Sequence, residues 1–234
     1  MSSQTPHLLG ILNLERGGLP SGSPPKSPIG ELLNPETFDF PIISETVEGA
    51  WADVVVRGEP ALEPAYIAAA KKLVQRGAVA ISANCGFSIR HQAAVAAAVN
   101  VPVVLSSLLL LPNLLSQLPV SAKIAVFTYD SKHCVRDLLP VNDVDQARIV
   151  IGGLEGTKFW HDEHRRPAPP VDYAAIETDL SACIARVRTE HPGIAAILFE
   201  CTAFPVLAPT MRRCTKLPIY DITNLCRLTM ASVS

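Results

Sequence analysis

The 234-residue chain sets 20 Lys and Arg against 22 Asp and Glu, a formal net charge of -2, and 48% of it is apolar. That balance supports a sizeable core and excludes intrinsic disorder. The basic residues are scattered rather than clustered, which excludes a basic nucleic-acid-binding surface.

Residues 7–14 read as a first strand. The segment before them lacks the basic stretch of a signal peptide, and its apolar run is short. Residues 17–50 then break the pattern with six prolines and five glycines, and read as a segment covering a cleft. Further strands are predicted at 52–56, 78–82 and 101–105. Helical composition falls at 63–76, with Pro64 in the first turn and Gly77 after the end, and again at 88–99. The apolar stretch 101–120 is about long enough to cross a bilayer. Pro102, Ser106, Ser107, Pro112 and Pro119 interrupt it, so a buried strand followed by a helix is expected, not a membrane span.

The pattern restarts after Pro119. Strands are predicted at 123–128, 148–151, 195–199 and 217–220, and helices at 131–139, 172–190, 205–213 and 222–231. Strands alternating with helices imply an α/β chain with parallel sheets covered on both faces. The restart divides it into lobe one, 1–118 plus 217–234, and lobe two, 119–216. The six cysteines form no C-x-x-C pair. A cytoplasmic protein without a disulfide framework or structural zinc is the expectation. Cys134, Cys183, Cys214 and Cys226 read as small buried apolar residues.

Two segments share one grammar. Val79-Ala80-Ile81-Ser82-Ala83-Asn84-Cys85-Gly86-Phe87 leads into a helix, and so does Ala196-Ile197-Leu198-Phe199-Glu200-Cys201-Thr202-Ala203. Each places a cysteine where a parallel strand ends, the edge at which open α/β sheets bind ligands. Helix-terminal amides there depress a thiol pKa and receive a carboxylate. One such turn is more often packing than chemistry. Two, one per lobe, predict opposed thiols around one carbon, one removing a proton and the other donating one. That chemistry requires neither metal nor pyridoxal cofactor.

At these turns the sequence resembles the aspartate/glutamate/hydantoin racemase superfamily, through Asn84-Cys85-Gly86-Phe87, Glu200-Cys201-Thr202 and Leu217-Pro218-Ile219-Tyr220-Asp221-Ile222-Thr223. Asn34-Pro35-Glu36-Thr37-Phe38-Asp39-Phe40-Pro41 resembles the branch that includes Alma-type dimethylsulfoniopropionate lyases. The resemblance implies two flavodoxin-like lobes related by a pseudo-two-fold axis, with Cys85 and Cys201 catalytic in the cleft between them. It departs from the branch at Gly30-Glu31-Leu32-Leu33. Ala203 stands where glutamate racemases have the histidine of a Cys-Thr-His run, which suggests a more apolar pocket lined by Phe87 and Phe204.

Candidate substrate-binding groups are Asn84, Gly86 and Phe87 in the first turn, and Thr202 and Ala203 in the second. Ser107, Thr128 and Tyr129 lie at other strand ends, and Asn13 ends the first strand. Helix capping competes as the role of Ser107 and Thr128. Glu200 adjoins Cys201; strand alternation can point it away, and an effect on the thiol pKa in either direction stays open. His161-Asp162-Glu163-His164 reads as a solvated loop rather than a metal site. The leading expectation is a homo-oligomeric, cofactor-independent racemase or epimerase of a small carboxylate, with no nucleic-acid or membrane partner. A lyase on the same scaffold is the alternative, by β-elimination, decarboxylation or cis–trans isomerisation. A carboxylate-binding protein without catalysis is the non-enzymatic reading.

Overall fold

A computed structural model describes residues 7–18 and 27–233. Its strands are β1 (Leu8–Asn13), β2 (Ile42–Thr46), β3 (Ala78–Ala83) and β4 (Val103–Val104), then β5 (Lys123–Thr128), β6 (Ile149–Gly153), β7 (Ile194–Phe199) and β8 (Ile219–Tyr220). They form two parallel sheets of the same pattern, β2-β1-β3-β4 and β6-β5-β7-β8. The likeness extends to the register. Leu8 pairs with Ala78 but Leu9 with Ala80, and Lys123 pairs with Ile194 but Ile124 with Ala196. Each sheet therefore carries a one-residue shift at the same place, beside the strand that leads to a cysteine.

The helices are α1 (Ala52–Arg57), α2 (Glu63–Gln75), α3 (Gln92–Ala98), α4 (Leu111–Gln117), α5 (Asp143–Gln146), α6 (Lys158–Glu163), α7 (Tyr173–Glu190), α8 (Ala208–Thr215) and α9 (Ile222–Val233). They cover both faces of each sheet, which is why the central strands β1, β3, β5 and β7 read as nearly unbroken apolar runs. One core spans both lobes and includes Tyr66, Phe87, Phe127 and Phe199, all fully buried. A second, smaller one lies under α9, where Leu9, Ile11 and Ala80 meet Ile222, Cys226 and Met230. Among the described residues no helix is long and apolar enough to cross a membrane.

Four sequence expectations need correction. Residues 52–56 form α1 rather than a strand. Their valine run has the local preference of a strand, but tertiary context overrides it, and Gly58, at φ 75, closes the helix by donating its N–H to the Val54 and Val55 carbonyls. The true second strand, β2, lies inside the segment read as a cover. Of its described residues, Gly30 packs against Pro205 and Val206, the Glu31 carboxylate accepts the Tyr173 hydroxyl and the Thr37 carbonyl accepts from Arg227, while residues 19–26 lie outside the described residues. Residues 131–139 are turns with a single 3-10 turn, Arg136–Leu138. The Asp130 carboxylate accepts the N–H groups of Lys132 and His133 and so diverts the chain from a helix. Finally, β8 pairs with β7, so lobe two runs through Tyr220 and only α9 returns to lobe one.

Candidate active site

The cysteine turns are built alike. At the end of β3, the Asn84 N–H donates to the Leu12 carbonyl (3.0 Å), and the Asn84 Oδ1 accepts the N–H of Leu14 (2.8 Å). At the end of β7, the Glu200 N–H donates to the Phe127 carbonyl (2.8 Å), and the Glu200 Oε2 accepts the Thr128 hydroxyl (2.7 Å). Cys85 follows in extended backbone and opens a 3-10 turn, Gly86–His91. Cys201 is followed by the 3-10 turn Phe204–Leu207. Amides of the following residues face each sulfur: those of Phe87 and Ser88 for Cys85, that of Ala203 for Cys201.

Two contacts hold the turns together across the lobes. The Thr202 hydroxyl donates to the Asn84 carbonyl, and the Ser107 hydroxyl donates to the Phe199 carbonyl (2.7 Å). Both cysteines then line one cavity of ≈ 80 Å³. Cys85 is partly exposed and Cys201 is 8% exposed. The rest of the wall is uneven in character. Phe87, Tyr129 and Phe159 give it aromatic surface, Glu163 and Glu200 bring two carboxyls, and Arg16 brings the single basic side chain among its described lining residues.

A strap from lobe two closes the outer side. Arg16 pairs with Glu163 (2.6 Å) and donates to the Pro169 carbonyl (2.9 Å), while its own carbonyl accepts the Ala168 N–H. Farther out, Arg166 pairs with Asp53 (2.8 Å) and lies over the Trp51 ring.

Electrostatics at the thiols reverses the sequence expectation. Burial pushes both pKa values up, the charge on Glu200 raises them further, and the facing amides offset only part of this. Both cysteines are therefore thiols at rest. Glu200 is itself pushed up to about 7 by burial, against the Thr128 hydroxyl, the Arg90 guanidinium and the Tyr129 N–H. Burial also raises Glu163, against the pull of Arg16.

Of the candidate substrate-binding residues, Asn84, Gly86, Phe87, Tyr129, Thr202 and Ala203 line this cavity. Three do not. Ser107 and Thr128 are fully buried and spend their hydroxyls on Phe199 and Glu200, and Asn13 lines a neighbouring groove with Glu15. Phe204 is displaced from the wall by Phe159 and packs behind it, 6.5 Å between ring centres. Residues 161–164 are not a loop, although His161 and His164 are exposed. They end α6, which turns Glu163 inward. Cys214 is exposed, whereas Cys134, Cys183 and Cys226 are buried as expected. Among the described residues no three His, Cys, Asp or Glu side chains are gathered to hold a metal. Sequence reasoning missed Arg16, Glu163 and Phe159. Only the charge of Arg16 beside the end of β1 hinted at any of them.

No family model matches the chain. Its sequence is 29% identical over 204 residues to a dimethylsulfoniopropionate lyase of Durusdinium sp. clade D, covering 82% of this chain and 66% of the relative. It is 27% identical over 236 residues to dimethylsulfoniopropionate lyase 3 of Emiliania huxleyi, covering 96% and 59%. The chain thus spans less than two thirds of these relatives' length. Among solved structures, a glutamate racemase isoform from Bacillus anthracis superposes with a TM-score of 0.58 at 14% identity, covering 97% of this chain and 81% of that one. A glycine-to-cysteine variant of an arylmalonate decarboxylase does so at 0.54 and 16%, covering 91% and 87%. The two-lobe fold is the one these racemases and decarboxylases share, and the sequence relatives are lyases.

Proposed function

From this fold and these lyase relatives we infer that the chain catalyses β-elimination on a small carboxylate bearing a cationic sulfonium leaving group, with a cysteine thiolate as base. One observation carries the reading: two cysteine turns, distant in sequence, open on the same small cavity. The thiolate removes a proton from the carbon next to the carboxylate. The freed electron pair forms the carbon–carbon double bond, the carbon–sulfur bond breaks, and a neutral sulfide leaves with an unsaturated acid. The sulfide needs no proton, so one base suffices.

The charge on the cavity wall favours a zwitterion over a dicarboxylate. Two carboxyls and one arginine already line it. A second substrate anion would suppress the thiolate further, whereas an onium cation beside the sulfur stabilises it. The faces of Phe87, Tyr129 and Phe159 suit such a cation, at about 0.5–2 kcal/mol per ring. The substrate carboxylate has Arg16 and the turn amides to meet it.

A second reading, racemisation, draws on the shared backbone of the two cysteine turns, since it requires a base on one face and an acid on the other. Headspace sulfide measured over dimethylsulfoniopropionate, together with deuterium uptake at the α-carbon in heavy water, separates the two. Sulfide from the wild type and none from the double variant Cys85→Ser/Cys201→Ser is expected. Exchange or racemisation of candidate acids without sulfide would move the assignment to racemisation. Undiminished sulfide release from the double variant would end both readings.

A further inference from the structure

We propose that Glu200 is the third acid–base group of this site, and that its carboxyl takes up the proton of whichever thiol becomes the base. The proposal deepens the reading given above and rests on it for the base role of a cysteine.

The geometry is that of a carboxyl built into the wall between the two turns. Glu200 immediately precedes Cys201 and lines the cavity that both sulfurs share. Its other neighbour is Gly86, which immediately follows Cys85. A Cβ on Gly86 would overlap both the Glu200 Oε1 and the Glu200 backbone carbonyl, so only glycine admits the carboxyl there. The two oxygens differ in what they meet. Oε2 accepts the Thr128 hydroxyl, which fixes the carboxyl plane, while Oε1 is buried and has no hydrogen-bond partner, neither thiol included, so a thiol must turn onto it for the proton to pass. A buried, unpartnered carboxylate oxygen is costly unless it has a proton to receive. At the end of a strand devoted to packing, leucine or phenylalanine would fill the same volume without that cost.

The groups facing Glu200 come from every element around it. Beta-strand β5 and the residue after it supply the Thr128 hydroxyl and the Tyr129 N–H. Arg90, in the turn after Cys85, contributes a positive charge, and Cys134 contributes a third thiol from the loop after β5. Glu163 adds negative charge to both catalytic thiols from α6. Two adjacent buried groups do not ionise together. The Glu200 carboxyl and the two sulfurs therefore share a single negative charge. Above about pH 7 it sits, at rest, on the carboxylate. When the proton passes from a thiol to Oε1, the carboxylate becomes a carboxylic acid and the thiol a thiolate. Total charge is unchanged, and no proton has to enter from water. An onium cation bound beside the sulfur favours that exchange.

The test is Glu200→Gln in the full chain, read first without substrate. Glutamine keeps the shape but neither holds the charge nor takes the proton. Iodoacetamide alkylation of Cys85 and Cys201, mapped by mass spectrometry with exposed Cys214 as internal reference, is expected to show a limb near pH 7 in the wild type and, in the variant, to begin only at the thiol's own, higher pH. Each unit of that move lowers the rate about tenfold at a fixed pH below the thiol titration. In the wild type, sulfide release should climb through a limb near pH 7 in kcat/KM. In Glu200→Gln that limb should be replaced by one at the thiol's own, higher pH, and Glu200→Asp should restore it. A folded Glu200→Gln whose alkylation profile is unmoved, or moves to lower pH as loss of a merely repelling carboxylate would move it, would falsify the proposal. If Glu200→Gln does not fold, Thr128→Val serves. It removes the bond that stabilises the carboxylate and should shift the pH 7 limb upward; a limb left in place would count against Glu200. Alkylation needs no substrate, so absence of sulfide release sinks the lyase reading and leaves the charge sharing to stand or fall on the thiols.

Discussion

The two cysteine turns have the same backbone and different chemistry. In each, the residue before the cysteine donates its N–H to the neighbouring central strand, at Leu12 in one lobe and Phe127 in the other. Its side chain accepts a hydrogen bond from the end of that strand, from the Leu14 N–H in one case and the Thr128 hydroxyl in the other. In lobe one that residue is the neutral Asn84. In lobe two it is Glu200, with an oxygen left over. The repeat therefore supplies two equivalent places for a thiol, and a single substitution makes the pair unequal. A symmetric site suits a reaction that runs equally well from either face. An unequal one suits a reaction with a direction.

The sharpest way to break this comparison is to remove the sulfurs one at a time. Elimination needs one base, so Cys85→Ala and Cys201→Ala should lose sulfide release unequally. The larger loss is expected to be about 10²–10⁴-fold, the range for removing a general base. Racemisation uses the two thiols in turn and would lose both directions of reaction in either variant. Equal losses in kcat/KM would therefore restore the symmetric reading.

The next largest effect is expected at Gly86. An added methyl in Gly86→Ala meets not only the Glu200 carboxyl but also its backbone carbonyl, which cannot rotate away. Overpacking of this kind costs about 1–3 kcal/mol, measurable as a lower urea midpoint. The corresponding position in the other turn is Thr202, where a side chain is already accommodated and donates to Asn84. A Gly86→Ala variant as stable as the wild type would show that the lobes yield to admit the methyl, and that the carboxyl is not wedged between the turns.

How much of this was legible in the sequence follows from the kind of information each feature needs. Strand–helix alternation and the restart after Pro119 are local patterns, and they located seven of the eight strands within a few residues. The second strand failed because the Val54–Val56 run looks like a strand in isolation, while the Gly58 cap that makes it a helix competes with no visible signal. Cys85 and Cys201 stood out because the same grammar occurs twice. Their protonation was misjudged because the turn amides are local, whereas the burial and the Glu200 charge that outweigh them depend on the fold. Glu163 and Phe159 were invisible for a related reason. They enter the cavity only through α6, and the bond that ties Glu163 to Arg16 joins residues of opposite lobes.

The smallest effect separates the floor of the interlobe contact from its rim. At the floor, Ser107 and Thr202 meet backbone carbonyls out of water. At the rim, Arg166 reaches Asp53 and Trp51 with half of its side chain exposed. Exposed ion pairs contribute about 0–1 kcal/mol, because solvent screens the attraction and two long side chains lose freedom. Arg166→Ala should therefore leave the urea midpoint nearly unchanged. Its readout is kinetic. Arg166 precedes the stretch of chain that lies over Arg16, so loosening it should raise KM for the sulfonium acid while kcat holds, as expected of a contact that helps close the site without touching the reacting carbon. A fall in kcat at constant KM would instead mean that the strap positions the chemistry itself, and that the rim belongs functionally with the floor.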